Sequence, residues 1–192
     1  MNTLNKNELR QKYRALRDSF GEDFIKKASV LACENLANCK EFINADLVLL
    51  YYPTKNEISP LPVFELCLKT GKTVAFPVCQ RETSNLVFKK INTLDSLSCG
   101  NFGIFEPNEN CELVFPNQNT LCIVPAIAFS RDGHRIGYGR GFYDRFLANF
   151  KGVSAGFSYS SLVCDGILHE DHDVPLNMII TESEVHYIVK KD

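Results

Sequence analysis

The sequence lacks most features that decide a class at a glance. No apolar run approaches the ~20 residues a helix needs to span a bilayer. The opening MNTLNKNELRQKYR has no apolar core of a secretory signal. Membrane association is therefore not expected, and the cytoplasm is the expected compartment. Neither charge dominates: 21 Lys and Arg against 23 Asp and Glu leave a net charge of −2. That balance supplies no global field for nucleic acid, so any anion site must be built locally. The eight cysteines contain no C-x-x-C pair and no zinc-ribbon spacing. Most lie among apolar neighbours (LAC, ELCL, FPVC, LCIVP), where a reduced thiol acts as a small buried hydrophobe. No internal repeat, low-complexity tract or dividing linker is visible, so residues 1–192 are read as one domain.

What is present suits a globular protein: 45% hydrophobic and 23% charged residues in a chain long enough for a substantial core. Residues 4–20 are expected to be helical, with Leu9, Tyr13, Leu16 and Phe20 as the apolar stripe. A second helix is expected from Glu22 to about Phe42. ADLVLLYYP (45–53) reads as a strand. Ser59 and Pro60 signal a helix start and Gly71 a stop, giving a helix over 60–70. Strands are expected at 73–79, 85–91 and 121–130, then in VSAGFSYS, NMIITES and EVHYIVK. Alternating strands and helices argue for an α/β sheet with helices on both faces. Ligands then collect at the carboxyl ends of strands, where YYPTKNE, a glycine loop and the turn after VSAGFSYS fall.

The glycine loop is RIGYGRGFYDRF. Gly137, Gly139 and Gly141 recur at every second position between a buried strand and a helical pattern. That spacing alone fits either a tight turn or a phosphate cradle. It is neither a Walker A loop nor a Gly-x-Gly-x-x-Gly fingerprint. Arg135, Arg140 and Arg145 around it can clamp phosphate oxygens, and Asp144 in the first helical turn can serve Mg²⁺, which favours the cradle.

Other candidates have bland readings beside the functional ones. Lys6, Arg10, Arg14 and Arg17 fall within roughly an 80° arc beside the apolar stripe, either a solvated face or the rim of a cleft. Glu57 either favours the dipole of the helix that follows or accepts from a ligand, with Tyr51 or Tyr52 nearby. HEDHDVP (169–175) reads first as a solvated acidic loop. Zinc is disfavoured there, but one carboxylate could reach a phosphate-bound Mg²⁺. Ser160 and Ser161 lack a nucleophile elbow.

With these pieces in place, the chain resembles the 5-formyltetrahydrofolate cyclo-ligase family. VPAIAFSRDGHRIGYGRGFYDRFL carries the resemblance. Weaker matches lie at KNELR, YYPTKNE, FGIFEP and HDVP, in the family's order over nearly the whole chain. Ile136, Phe142 and Arg140 depart mildly from the family's pattern. The resemblance implies a three-layer, Rossmann-like α/β sheet of the NagB/RpiA/CoA-transferase type. It implies MgATP-dependent closure of 5-formyltetrahydrofolate to 5,10-methenyltetrahydrofolate, by phosphorylation of the formyl oxygen and attack by N10. The implied ATP contacts are Lys6, Asn7, Glu8, Leu9, Arg10, Arg135, Ile136, Gly137, Tyr138, Gly139, Arg140, Gly141, Phe142 and Tyr143. Folate contacts are implied at Tyr52, Glu57, Phe102, Tyr138, Gly139, Arg140 and Gly141, and Mg²⁺ at Asp144 and Asp173. Arg140 and Asp144 are the implied catalytic groups. The expected partner is the small-molecule folate, with no nucleic acid, no membrane and a monomeric state. A sugar-phosphate isomerase or transferase of similar fold, or a non-catalytic nucleotide-binding module, stands as the alternative.

Overall fold

The computed structural model describes residues 5–100 and 103–189. Helix α1 (Lys6–Asp18) starts at a capping box. The Asn5 side chain accepts from the Asn7 and Glu8 N–H groups, and Glu8 accepts from the Asn5 N–H in return. The second expected helix is two: α2 (Glu22–Ala37) and α3 (Lys40–Asn44), with Asn38 closing the first and Cys39 extended between them. Strand β1 (Leu47–Leu49) is shorter than its apolar run, because residues 50–53 leave the sheet at its carboxyl end. Helix α4 (Leu61–Lys69) follows, ended by Gly71 at φ +73°, and leads into β2 (Thr73–Gln80).

β2 turns back into β3 (Asn85–Lys90); β4 (Leu97–Cys99), β5 (Phe105–Pro107) and β6 (Leu113–Val114) follow. The expected single strand over 121–130 is split: β7 (Thr120–Val124) stays in the main sheet, and β8 (Ala128–Ser130) leaves it. Pro125 lies between them; it has no N–H to donate to a ladder. Beyond it the Ile127 N–H bonds to the Ile136 carbonyl at 2.8 Å, at the open end of the pair that β8 forms with β9 (Arg135–Ile136). Helix α5 (Phe142–Leu147), β10 (Val153–Phe157), β11 (Val163–Cys164), β12 (Met178–Ile180) and β13 (Val185–Tyr187) complete the chain.

The main sheet has the order β13-β12-β10-β7-β1-β2-β3-β6, parallel from β12 to β2 and antiparallel at its flanks. A small sheet, β11-β8-β9, lies beside it. One face packs Leu36, Phe64, Phe76 and Phe157 in a cluster with α1, α2 and α4. The other packs Leu49, Phe88, Phe129 and Leu147, covered by α5 and the small sheet. Helices therefore lie on both faces, but among the described residues the second face has one short helix and borrows a sheet for the rest. β1, β2 and β7 are consequently near-continuous apolar runs, as strands covered on both sides must be.

Gly156 marks the tightest packing of β10: a Cβ there would sit 2.5 Å from the Phe129 ring and 3.0 Å from Leu176. Gly156→Ala is expected to destabilise the fold by about 1–3 kcal/mol, the usual cost of overpacking a filled core. Urea unfolding measures it, and an unchanged midpoint would contradict this packing.

Candidate functional site at the sheet switch point

The chain runs from β1 through α4 to β2 on one side, and from β7 through α5 to β10 on the other. Strand order therefore reverses between β1 and β7, and a crevice opens beyond their carboxyl ends. The segment after β1 places Glu57 there, 7% exposed. One of its oxygens accepts from the Thr54 N–H at 2.8 Å and the Thr54 hydroxyl at 3.0 Å. The other accepts from the Tyr138 hydroxyl. Tyr51 ties its hydroxyl to the Ile58 carbonyl at 2.6 Å, and Tyr159, after β10, ties its own to the Asn56 carbonyl at 3.0 Å. These bonds fix the loop that presents Glu57.

The basic stripe of α1 is uneven: Arg17 is buried, Lys6 and Arg10 are half-buried, and Arg14 is exposed. Lys6 pairs with Asp173 at 2.7 Å and Glu170 at 3.1 Å. The Arg10 Nε donates to the Gly137 carbonyl at 3.0 Å. The Arg14 guanidinium lies 5.6 Å from the Tyr138 ring centre. Arg17, 5% exposed, donates to the Tyr138 hydroxyl at 3.0 Å and lies 3.6 Å from Glu57. Burial works against the Arg17 charge, but Tyr138 and Glu57 outweigh it and raise its pKa. Burial, then Glu57, also raises the pKa of Tyr138, so its hydroxyl keeps its proton and donates.

The glycine loop is stapled at its ends. Arg135 donates to Asp144 at 2.5 Å and to the Val174 carbonyl at 2.7 Å. The Val174 N–H approaches Asp144 at 3.4 Å, so the two expected Mg²⁺ carboxylates, Asp144 and Asp173, converge on one corner. Within the loop Gly139 has φ +90° and Gly141 φ +66°, conformations that disfavour a Cβ. Arg145 donates to the Arg140 carbonyl at 2.6 Å and the Ser84 carbonyl at 2.8 Å, pinning the loop to the β2–β3 turn. Arg140, Phe142, Arg81 and Ser84 line a cleft of about 440 Å³ at this edge. The HEDHDVP loop is docked: the His169 ring stacks on His134 with centres 3.8 Å apart.

The structure thus gathers Lys6, Arg10, Glu57, Tyr138, the glycines, Asp144 and Asp173. Asn7 supports them by accepting from Arg10 at 2.6 Å. Glu8 is engaged in the helix cap and Leu9 packs against the core. Ile136 is buried, and Tyr143 and Phe142 pack under the sheet. Tyr52 sits against Phe105, ring centres 4.8 Å apart; Phe102 lies outside the described residues. Two contributors are absent from the contacts that the resemblance implies. Arg17 is visible in the sequence only as one member of a basic stripe. Thr54 carries no signal, because an Asx-like clasp on Glu57 depends on the path of the turn.

Fold and site together define an α/β protein with a glycine loop, bracketed by arginines, at the switch point of its sheet. A sequence model of the 5-formyltetrahydrofolate cyclo-ligase family matches residues 2–182. The 5-formyltetrahydrofolate cyclo-ligase of Haemophilus influenzae is 29% identical over 181 residues, 92% of this chain and 97% of that protein. Its counterpart in Escherichia coli is 27% identical over 182 residues, 92% and 98% of the two chains. The solution structure of Aquifex aeolicus 5,10-methenyltetrahydrofolate synthetase superposes with a TM-score of 0.84 at 32% identity, over 97% of this chain and 94% of that one. This chain belongs to the 5-formyltetrahydrofolate cyclo-ligase family, ligases of folate metabolism.

Asp173 supplies a test of the corner. Burial alone would raise its pKa, but the hydrogen bonds from Lys6 and the Glu170 N–H outweigh it and hold it below the ordinary value. Its contribution to stability is therefore present above the unfolded pKa of about 3.9 and lost as pH falls through the lower folded value. Lys6→Met removes the largest stabiliser of the carboxylate. The acid-unfolding midpoint, followed by circular dichroism, should move to higher pH; an unmoved midpoint would mean that the pair is not formed.

Proposed function

We propose that this chain cyclises 5-formyltetrahydrofolate to 5,10-methenyltetrahydrofolate, with ATP converted to ADP and phosphate. The observation that carries the reading is the shared loop. Residues 137–141 lie against the basic stripe of α1 on one side and against Glu57 on the other. A reaction that brings a triphosphate to a folate needs both on one element.

The chemistry fits a site without a protein nucleophile. The formyl oxygen attacks the γ-phosphorus, the bond to the ADP oxygen breaks, and the formyl carbon acquires a phosphate leaving group. N10 then attacks that carbon, loses its proton, and the carbon–oxygen bond breaks to release phosphate. Phosphoryl transfer of this kind is promoted mainly by positioning and charge neutralisation. Lys6, Arg10 and Arg140, with the loop N–H groups, are assigned to the phosphates; Glu57 and Tyr52 are assigned to the folate. Among the described residues no three His, Cys, Asp or Glu side chains cluster for a metal. The hard oxygens of Asp144 and Asp173 nevertheless suit Mg²⁺ that arrives on phosphates and keeps several waters. These two residues would hold it, and it would neutralise phosphate charge. The Rossmann-like order from β12 to β2 also supports assignment to the NagB/RpiA/CoA-transferase type.

An absorbance assay for methenyltetrahydrofolate, run with and without MgATP, tests the reading. Product is expected only with both substrates, and ADP release only when the folate is present. ADP release without folate, or product without ATP, would contradict it. Asp144→Asn keeps an acceptor for Arg135 but removes the charge. It should lower turnover by about 10²-fold or more while the protein remains folded. Near-normal turnover at saturating Mg²⁺ would remove Asp144 from the role assigned to it.

A further inference from the structure

Glu57 is assigned to the folate, yet no folate could reach it as it stands. Both lone pairs of one oxygen are taken by Thr54, and the other oxygen faces Tyr138 and Arg17. The space left between Arg17, Glu57, Tyr51, Ser158 and Tyr159 is about 10 Å³, enough for one water at most. Above it lies Tyr138, a residue 45% exposed whose hydroxyl nonetheless reaches inward to both charged groups. Arg17 retains a buried Nε with no hydrogen-bond partner among the described residues.

The polarity of this small chain is informative. Arg17 donates to the phenol oxygen, and the phenol donates to Glu57. An acceptor and a donor side by side are also what the lactam edge of a folate presents, its C4 carbonyl beside its N3–H. We propose that Tyr138 stands in for the substrate: its hydroxyl occupies the place of the lactam edge on Arg17 and Glu57, and 5-formyltetrahydrofolate binds by displacing it. The inference rests on the folate reading above. It makes Arg17 a substrate-binding residue, recognising the 4-oxo group, and makes Tyr138 a positioning residue that yields. Space beside the loop is open, and the Arg10 bond to the Gly137 carbonyl is what a shift of the loop has to exchange. Among the described residues, a Cβ on Gly137 would meet nothing within 4 Å, and one on Gly139 only the Arg10 guanidinium at 3.8 Å. Because Tyr138 rides between these glycines, its displacement also moves the loop assigned to phosphate, which couples the two substrates.

Calorimetric titration of 5-formyltetrahydrofolate without nucleotide separates this role from a simple contact. Tyr138→Phe removes the competing hydroxyl and leaves Glu57 in need of a donor. Folate should then bind on the order of tenfold more tightly, since a hydrogen bond to a charged group no longer has to be broken. Unchanged or weaker binding overturns the proposal. The second arm compares the folate with a 2,4-diamino analogue carrying the same tail, whose 4-amino group donates where the 4-oxo group accepts. Wild-type protein should prefer the oxo compound, Arg17→Met should narrow the ratio of affinities towards one, and Arg17→Lys should restore part of it. An Arg17→Met variant that folds and keeps the full preference also overturns the assignment. A wild-type chain that binds neither pteridine overturns the folate reading beneath it, an outcome distinct from unchanged affinity in Tyr138→Phe.

Discussion

The Arg135 guanidinium joins the first residue of the glycine loop to Asp144, just past its end, and to the backbone after Asp173. The glycine loop assigned to phosphate is held at both ends by this ion pair. Arg135 is 9% exposed, and burial pulls its pKa down from the ordinary value against the pull of Asp144 and Asp173. Truncating the Asp144 side chain altogether would leave Arg135 charged and dry, which for a buried pair typically costs about 3–5 kcal/mol; Asn at 144 still offers it an acceptor. That pair fixes the span of the loop, and Arg10 on the Gly137 carbonyl and Arg145 on the Arg140 carbonyl hold two points within it.

Around that staple the sheet supplies direction. The reversal between β1 and β7 opens one crevice, and the segments leaving β1, β7 and β10 all end there. Helix α1 lies beside the opening with Tyr13 and Arg17 buried, and with Arg10 held to the Gly137 carbonyl. The net charge of −2 then matters little, since Lys6, Arg10, Arg14 and Arg17 concentrate positive charge where it is needed. One residue, Tyr138, touches both halves of the site.

Local chemistry makes much of this legible in the amino-acid order alone. The apolar stripe of the first helix, the stop at Gly71 and the apolar strand runs each depend on neighbours in sequence, so α1, α4 and β2 lie close to where those signals put them. Pro125 is in plain view, yet the run 121–130 reads as one strand; the apolar residues continue, and only tertiary pairing sends Ala128–Ser130 to a second sheet. A continuous helical pattern hides the break at Asn38 in the same way. In the site, Glu57, the glycines, Asp144 and Asp173 carry motif signals. Arg17 does not, because its burial against Tyr138 depends on how α1 crosses the loop, which no spacing in the sequence encodes.

The central claim is that one glycine loop serves both the phosphates and the folate. Hydrogen exchange of the peptide covering residues 136–143 tests it most directly, measured in the free protein, with a non-hydrolysable ATP analogue, and with 5-formyltetrahydrofolate. Each ligand alone should change exchange in this peptide, protection by the nucleotide and an altered pattern by the folate as Tyr138 moves. A peptide that responds to the nucleotide and is indifferent to bound folate would contradict the account.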